Sequence, residues 1–156
     1  MKFTAVLSLL PLLLTSSLAA PVEVEIEERA AAAASTVSWD AKFDVAGSSM
    51  TTVACSDGTN GLMTKGYSTF GSLPSFPRIG GAPTIPGWNS PQCGACYSLE
   101  YNGRSIYITA IDAAPGGFNI GMTAMNTLTN GQAEALGRLK DIRFGFMRCV
   151  NADLNE

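Results

Sequence analysis

The dipeptide Asn102-Gly103 stands between two runs of alternating polarity, Tyr97 to Tyr101 and Arg104 to Ile111. A type I′ turn needs positive φ at both central residues, and Asn-Gly meets that need at least cost, so the stretch is predicted to be a β-hairpin. A two-residue turn fixes the register: Leu99 faces Ile106, and Tyr97 faces Ile108. These four side chains share one face, and a period of two carries that face through Ala110 to Asp112. Asp112 is thus expected at the end of an apolar stripe, just before the Gly/Pro loop from Ala113 to Asn119. A carboxylate at the mouth of a core is the feature of this chain best placed for chemistry or recognition.

The whole chain has 156 residues, about one domain. Its 10 basic and 13 acidic residues give a net charge of −3, which favours neither nucleic acid nor an anionic membrane as partner. Four of the acids, Glu23, Glu25, Glu27 and Glu28, lie near the N-terminus. Removing residues 1–35 takes away these four with Lys2 and Arg29 and leaves 8 basic and 9 acidic residues, so the globular part is nearly neutral. Lys2, the apolar run from Phe3 to Leu14 and then Ser17-Leu18-Ala19 have the plan of a secretory signal peptide, residues 1–19. The run is too short to span a bilayer, and no later segment is long and apolar enough. Residues 20–36, acidic and then alanine-rich, read as a spacer or propeptide, with a short exposed helix as the alternative. Residues 37–156 form the domain.

Export changes the meaning of Cys55, Cys93, Cys96 and Cys149, which in an oxidising compartment favour two disulfides. Three pairings are possible. Cys55 with Cys93 and Cys96 with Cys149 is favoured, because the two central cysteines then staple both ends of the fold to the hairpin. Cys93-Gly94-Ala95-Cys96 lacks a second such pair, and the chain has no histidine, so no metal or other cofactor is expected.

In order, Val37 to Val45 reads as a first strand, Val53 to Gly61 as a turn-rich segment and Gly66 to Gly71 as a short strand. The prolines and glycines from Leu73 to Pro83 argue against a central strand or a helix there, leaving a long loop that continues through Trp88. Met122, Met125 and Leu128 mark a helix within Asn119 to Thr129, and Gln132 to Leu139 a second. Ile142 to Val150 closes the chain as a strand. With no βαβ repeat and no phosphate-binding glycine pattern, the expected class is mainly β, a small barrel with short flanking helices.

The lack of histidine excludes Ser-His-Asp and Cys-His nucleophile systems and leaves carboxylate chemistry. Glycoside cleavage needs two carboxyl groups flanking one bond. Asp112 is one candidate and Asp57 the second, with Glu100 and Asp44 behind it, although Asp57 before Gly58 has an ordinary use in bonding its own turn. The other use of such residues is sugar binding without cleavage, in which rings stack on pyranose faces and Asp or Asn groups meet hydroxyls. Trp88-Asn89, Phe118-Asn119 and Tyr67 fit that chemistry; the ordinary alternative for each ring is a core or loop anchor.

Cys55-Ser56-Asp57-Gly58, Gly87-Trp88-Asn89-Ser90, Cys93-Gly94-Ala95-Cys96, Ile111-Asp112 and Gly117-Phe118-Asn119-Ile120, together from about Val37 to Leu154, resemble the cerato-platanin family of small secreted fungal proteins. The resemblance implies a six-stranded double-psi β-barrel like the first domain of expansins, and the same disulfide pairing. It implies binding of chitin-type N-acetylglucosamine oligomers, non-hydrolytic loosening of cellulose, elicitation of plant defence with plant surface receptors as partners, and self-assembly at surfaces by a monomeric protein. Asp112 matches the acid shared with expansins and Asp57 the Cys-Ser-Asp-Gly signature. Asn60, Gly61, Trp88, Asn89, Phe118 and Asn119 match groove positions. The family's frequent histidine after the shared acid is Ala113 here. A non-enzymatic, secreted, cell-wall-associated binding protein is therefore expected. A polysaccharide-cleaving enzyme using Asp112 and Asp57, or a surface-active coat protein, is the alternative.

Overall fold

The computed structural model describes residues 33–147. The expected signal peptide, most of the 20–36 spacer, and Cys149 lie outside the described residues. Six strands close into a barrel: β1 (Ala33–Trp39), β2 (Ile79–Ala82), β3 (Cys96–Tyr101), β4 (Arg104–Ala113), β5 (Phe118–Ile120) and β6 (Leu139–Met147). Their order around it is β1-β5-β2-β4-β3-β6. The pairs β1–β5 and β2–β4 are parallel and the other four antiparallel. This is the mainly β double-psi barrel expected, with few and short helices.

The hairpin has the anticipated register, Leu99 against Ile106 and Tyr97 against Ile108. Asn102 and Gly103 take φ of 47° and 75°, as a type I′ turn requires. Tyr97, Leu99 and Ile108 join Val37, Phe118 and Ile120 in the core, each at most 1% exposed. Tyr97, Phe118 and Phe144 meet edge to face or tilted, with ring centroids 5.1 to 6.4 Å apart.

Several elements differ from the sequence reading. β1 begins at Ala33, inside the span assigned to the spacer, because Ala33, Ala34 and Ser35 pair with Phe144, Arg143 and Ile142 of β6. It ends at Trp39, where Asp40 turns the chain by accepting a hydrogen bond from the Lys42 amide and caps a 3₁₀ turn, Ala41–Asp44. Residues 66–71 form no strand; one isolated bridge joins Ser49 to Thr69, and a 3₁₀ turn follows at Phe70–Ser72.

The largest departure is β2, a central strand inside the stretch judged unable to form one. Its four residues carry no proline, since Pro77 precedes them and Pro83 follows, so every ladder amide survives. Its glycines are required rather than disruptive. A Cβ on Gly80 would lie 2.8 Å from the Ile120 Cα and against the Asn119 carbonyl. Composition flagged the glycines as loosening the chain; here they let two strands approach.

α1 (Met122–Thr129) buries Met125 and Leu128 and stops at Asn130 in the left-handed region, φ 57°. Asn119 and Ile120, assigned to that helix, belong to β5. α2 (Ala133–Leu136) is a single turn, tied to the barrel by the Trp39 indole N–H donating to the Ala133 carbonyl at 2.9 Å. Residues 41–70 wrap the barrel's outside, where Phe43 stacks on Phe70 at 6.1 Å. Cys55–Cys93 fastens this wrap, as the sequence reading expected. Cys96 is also in the disulfide form.

Replacing Gly80 by alanine is expected to lower unfolding stability by about 1–3 kcal/mol, the usual cost of overpacking. An unchanged urea midpoint would contradict the close approach of β2 and β5. Loss of the 38-residue loop closure in a Cys55→Ala/Cys93→Ala variant should remove about 4 kcal/mol by chain entropy, read by the same unfolding experiment.

Candidate functional site

Asp112 is not where strict alternation would place it. Gly80 pairs with Ala110 but Gly81 pairs with Asp112, so Ile111 is an extra residue on β4. Such a bulge breaks the period of two and re-aims the next side chain. Asp112 therefore leaves the barrel-facing row of Ile106, Ile108 and Ala110 and joins a row with Gly81, Asn119 and Ser38. Asn119 lies between the buried Phe118 and Ile120 on β5, so this second row faces outward.

On that face the Asp112 carboxylate links three segments. Its Oδ1 accepts from the Ala54 amide at 3.0 Å and from the Ala113 amide at 2.9 Å. Its Oδ2 accepts from Lys42 Nζ at 3.3 Å. The Asp112 side chain is 19% exposed and that of Lys42 48%, and the ammonium also lies 4.6 Å from the Phe43 ring centroid. A carboxylate so engaged is a fixed acceptor, with two backbone donors at Oδ1 and the ammonium at Oδ2. Asn119, in the same row, accepts from the Ser38 hydroxyl at 3.1 Å.

The segment held by Asp112 leads within three residues to a second cluster. Asp57 Oδ1 accepts from the Trp88 indole N–H at 2.6 Å, a short bond of the charge-assisted kind. Trp88 stays 64% exposed, so its edge is held while its ring is open to solvent. Asn89, at φ 57°, accepts from the Asn60 amide through Oδ1 at 2.9 Å, and its carbonyl accepts from Asn60 Nδ2 at 2.9 Å. Gly58, at φ 81°, is the close approach on which this depends: a Cβ there would sit 2.7 Å from Asn89 Oδ1 and 3.0 Å from Trp88 Cζ2. Asp57, Asn60, Trp88 and Asn89 thus form one braced platform built from two loops that Cys55–Cys93 joins. Ala54 and Asp57 are at most about 11 Å apart along the chain, so the platform and Asp112 are neighbours.

The remaining residues singled out are placed differently. Phe118 is wholly buried and packs against Tyr97 and Phe144, so it offers no stacking surface; this corrects its assignment as a ligand-contacting ring. Gly61 is buried beneath the Asp57 backbone, a support of the platform rather than a contact. Tyr67 is half-buried and packed on the core. Asp44 holds the start of α1, accepting from the Met122 amide at 2.6 Å and the Thr123 amide at 3.2 Å, which supplies the missing N-cap. Glu100 lies on the hairpin opposite Ser105 and Arg143. Among the described residues, no group of three His, Cys, Asp or Glu could hold a metal ion. Sequence reasoning missed Lys42 and Ala54, the two donors that set Asp112; nothing local in the sequence marks either.

Removing the Asp57 carboxylate (Asp57→Ala) should speed solvent exchange of the Trp88 indole proton and shift its NMR signal. The Trp39 indole, bonded elsewhere, serves as control, and unfolding stability should change by less than about 1 kcal/mol. Equal behaviour of both indoles would remove the brace.

A family model described as cerato-platanin matches residues 35–144. The allergen Asp f 15 of Aspergillus fumigatus is 60% identical over 140 residues, spanning 90% of each protein. Among solved structures, cerato-platanin 1 from M. perniciosa aligns with a TM-score of 0.70 at 45% identity, over 74% of this chain and 95% of that one. The solution structure of the fungal elicitor cerato-platanin aligns at 0.68 and 41% identity, over 75% and 95%.

Proposed function

Because this chain belongs to the cerato-platanin family, we propose that it is a secreted, extracellular protein that binds cell-wall oligosaccharide without cleaving it. The contact surface runs from the Asp57–Trp88–Asn89 platform to Asp112. Its ligands are chitin-type N-acetylglucosamine oligomers and cellulose, and it loosens polymer packing by competing for interchain hydrogen bonds. Elicitation of plant defence belongs to the same reading and rests on the family alone; an elicitor is what the cerato-platanin of the solution structure is called.

The observation that carries the proposal is the Trp88 ring, exposed on its face yet fixed at its edge by Asp57. An immobilised ring loses little further freedom on stacking, so more of the contact energy appears as affinity. The polar groups beside it, Asn60 and Asn89, are already oriented by each other.

Hydrolysis by Asp112 and Asp57 is the weaker reading. One carboxyl of a hydrolytic pair must deliver a proton to the leaving oxygen. Asp57 Oδ1 is committed to the indole, and Asp112 accepts three donors.

In calorimetric titration with chitin hexamer, Trp88→Ala is expected to weaken binding at least tenfold without releasing or suppressing reducing sugar. Equal affinity of variant and parent would remove Trp88 from the site, and sustained reducing-sugar release by the parent would replace the binding reading with the enzymatic one. Asp112→Asn, which keeps the Oδ1 acceptor but cannot accept from Lys42 at the other position, should abolish most filter-paper fragmentation while leaving the thermal midpoint within a few degrees. Unchanged fragmentation would end the proposed role of Asp112.

A further inference from the structure

One end of the barrel carries an open apolar depression that neither the platform nor Asp112 uses. The inward row of β6 runs from Ile142, fully buried, through Phe144, partly buried, to Phe146, 60% exposed. The barrel's aromatic core thus continues out of its mouth. Tyr97 meets Phe146 edge to face at 5.7 Å, and the Tyr97 hydroxyl shares a 2.5 Å hydrogen bond with Thr84. The mouth forms an open depression of about 620 Å³ lined, among the described residues, by Thr84, Gln92, Tyr97, Phe144 and Phe146.

We propose that this mouth is a binding site for a small neutral ligand carrying an aromatic ring and a hydroxyl group, a phenol in chemical class. Three observations carry it. The lining is mostly apolar with a few placed polar groups, the balance found in small-molecule sites. Aromatic rings in this core already contact one another edge to face or at a tilt, and Phe146 leaves its outer side open to one more ring. Among the described residues, the lining contains no charged group, and its polar side chains other than the Tyr97–Thr84 pair reduce to the Gln92 carboxamide. A sugar presents several hydroxyls that each need a partner; a phenol presents one, which the carboxamide can bond. The site stands apart from the oligosaccharide proposal and does not depend on it.

The test is an NMR titration of the full chain with p-cresol, with cyclohexanol and N-acetylglucosamine as parallel probes. Saturable shifts of the Phe146 and Tyr97 ring signals by p-cresol are expected, with cyclohexanol binding at least fivefold more weakly. Phe146→Ala, a change at an exposed position that leaves the core intact, should weaken p-cresol at least tenfold, and Gln92→Ala severalfold. Trp88→Ala should leave p-cresol binding unchanged. Non-saturable shifts, equal binding of cyclohexanol, or undiminished affinity in Phe146→Ala would overturn the proposal. So would N-acetylglucosamine occupying the mouth in place of p-cresol. Concentration-dependent dimerisation that Phe146→Ala abolishes would also overturn it, by assigning these rings to contact between copies of the chain.

Discussion

One extra residue in β4 decides what the outside of this barrel can do. Because Ile111 has no partner on β2, the strand keeps both Ala110 and Ile111 buried and then turns Asp112 outward. An inward carboxylate would extend the buried row of Ile108 and Ala110, at a desolvation cost. Turned outward, it becomes the acceptor for two backbone amides and an ammonium. Those bonds hold residues 41–54 against the strand, and the neighbouring Cys55 amide donates to the Ile111 carbonyl at 3.1 Å. The bulge and the wrap stabilise each other.

The wrap in turn makes a surface from segments with little regular structure. Residues 55–62 and 87–93 contain no strand, yet they are joined by a disulfide, by a paired Asn60–Asn89 contact and by the Asp57–Trp88 bond. Irregular backbone stays ordered when cross-links and side-chain acceptors replace the ladder. The result is a rigid polar strip with one exposed ring, resting on a barrel whose own outward row contributes Asn119 and Asp112. The strip is polar with an exposed indole, whereas the aromatic mouth is apolar. The two surfaces therefore differ in chemistry.

Much of this was legible in the chain, and the failures have physical causes. The Asn102-Gly103 turn set the hairpin register because positive φ at two successive residues is a local demand. The Asp57-Gly58 and Trp88-Asn89 loops stood out for their turn chemistry. β2 was hidden because Gly80 and Gly81 weaken any local strand signal, and their value exists only when β5 is already alongside. The face of Asp112 was misjudged because a bulge is a property of pairing between β2 and β4 rather than of β4 alone. Phe118 looked available since its Gly116-Gly117 approach resembles a loop, but β5 is three residues long and its ends are core. Lys42 and Ala54 reach Asp112 across 70 and 58 residues, a separation no local pattern encodes.

The central claim is that the outward strip touches oligosaccharide and leaves it whole. Amide NMR during titration with chitin hexamer examines it most directly, since the Ala54 and Ala113 amides report on Asp112 and the Asn60 amide on the platform. The account predicts saturable shifts at all three, together with the Trp88 indole, and an unchanged sugar spectrum after prolonged incubation. Shifts confined to other surfaces, or new reducing-end signals growing with time, would contradict it.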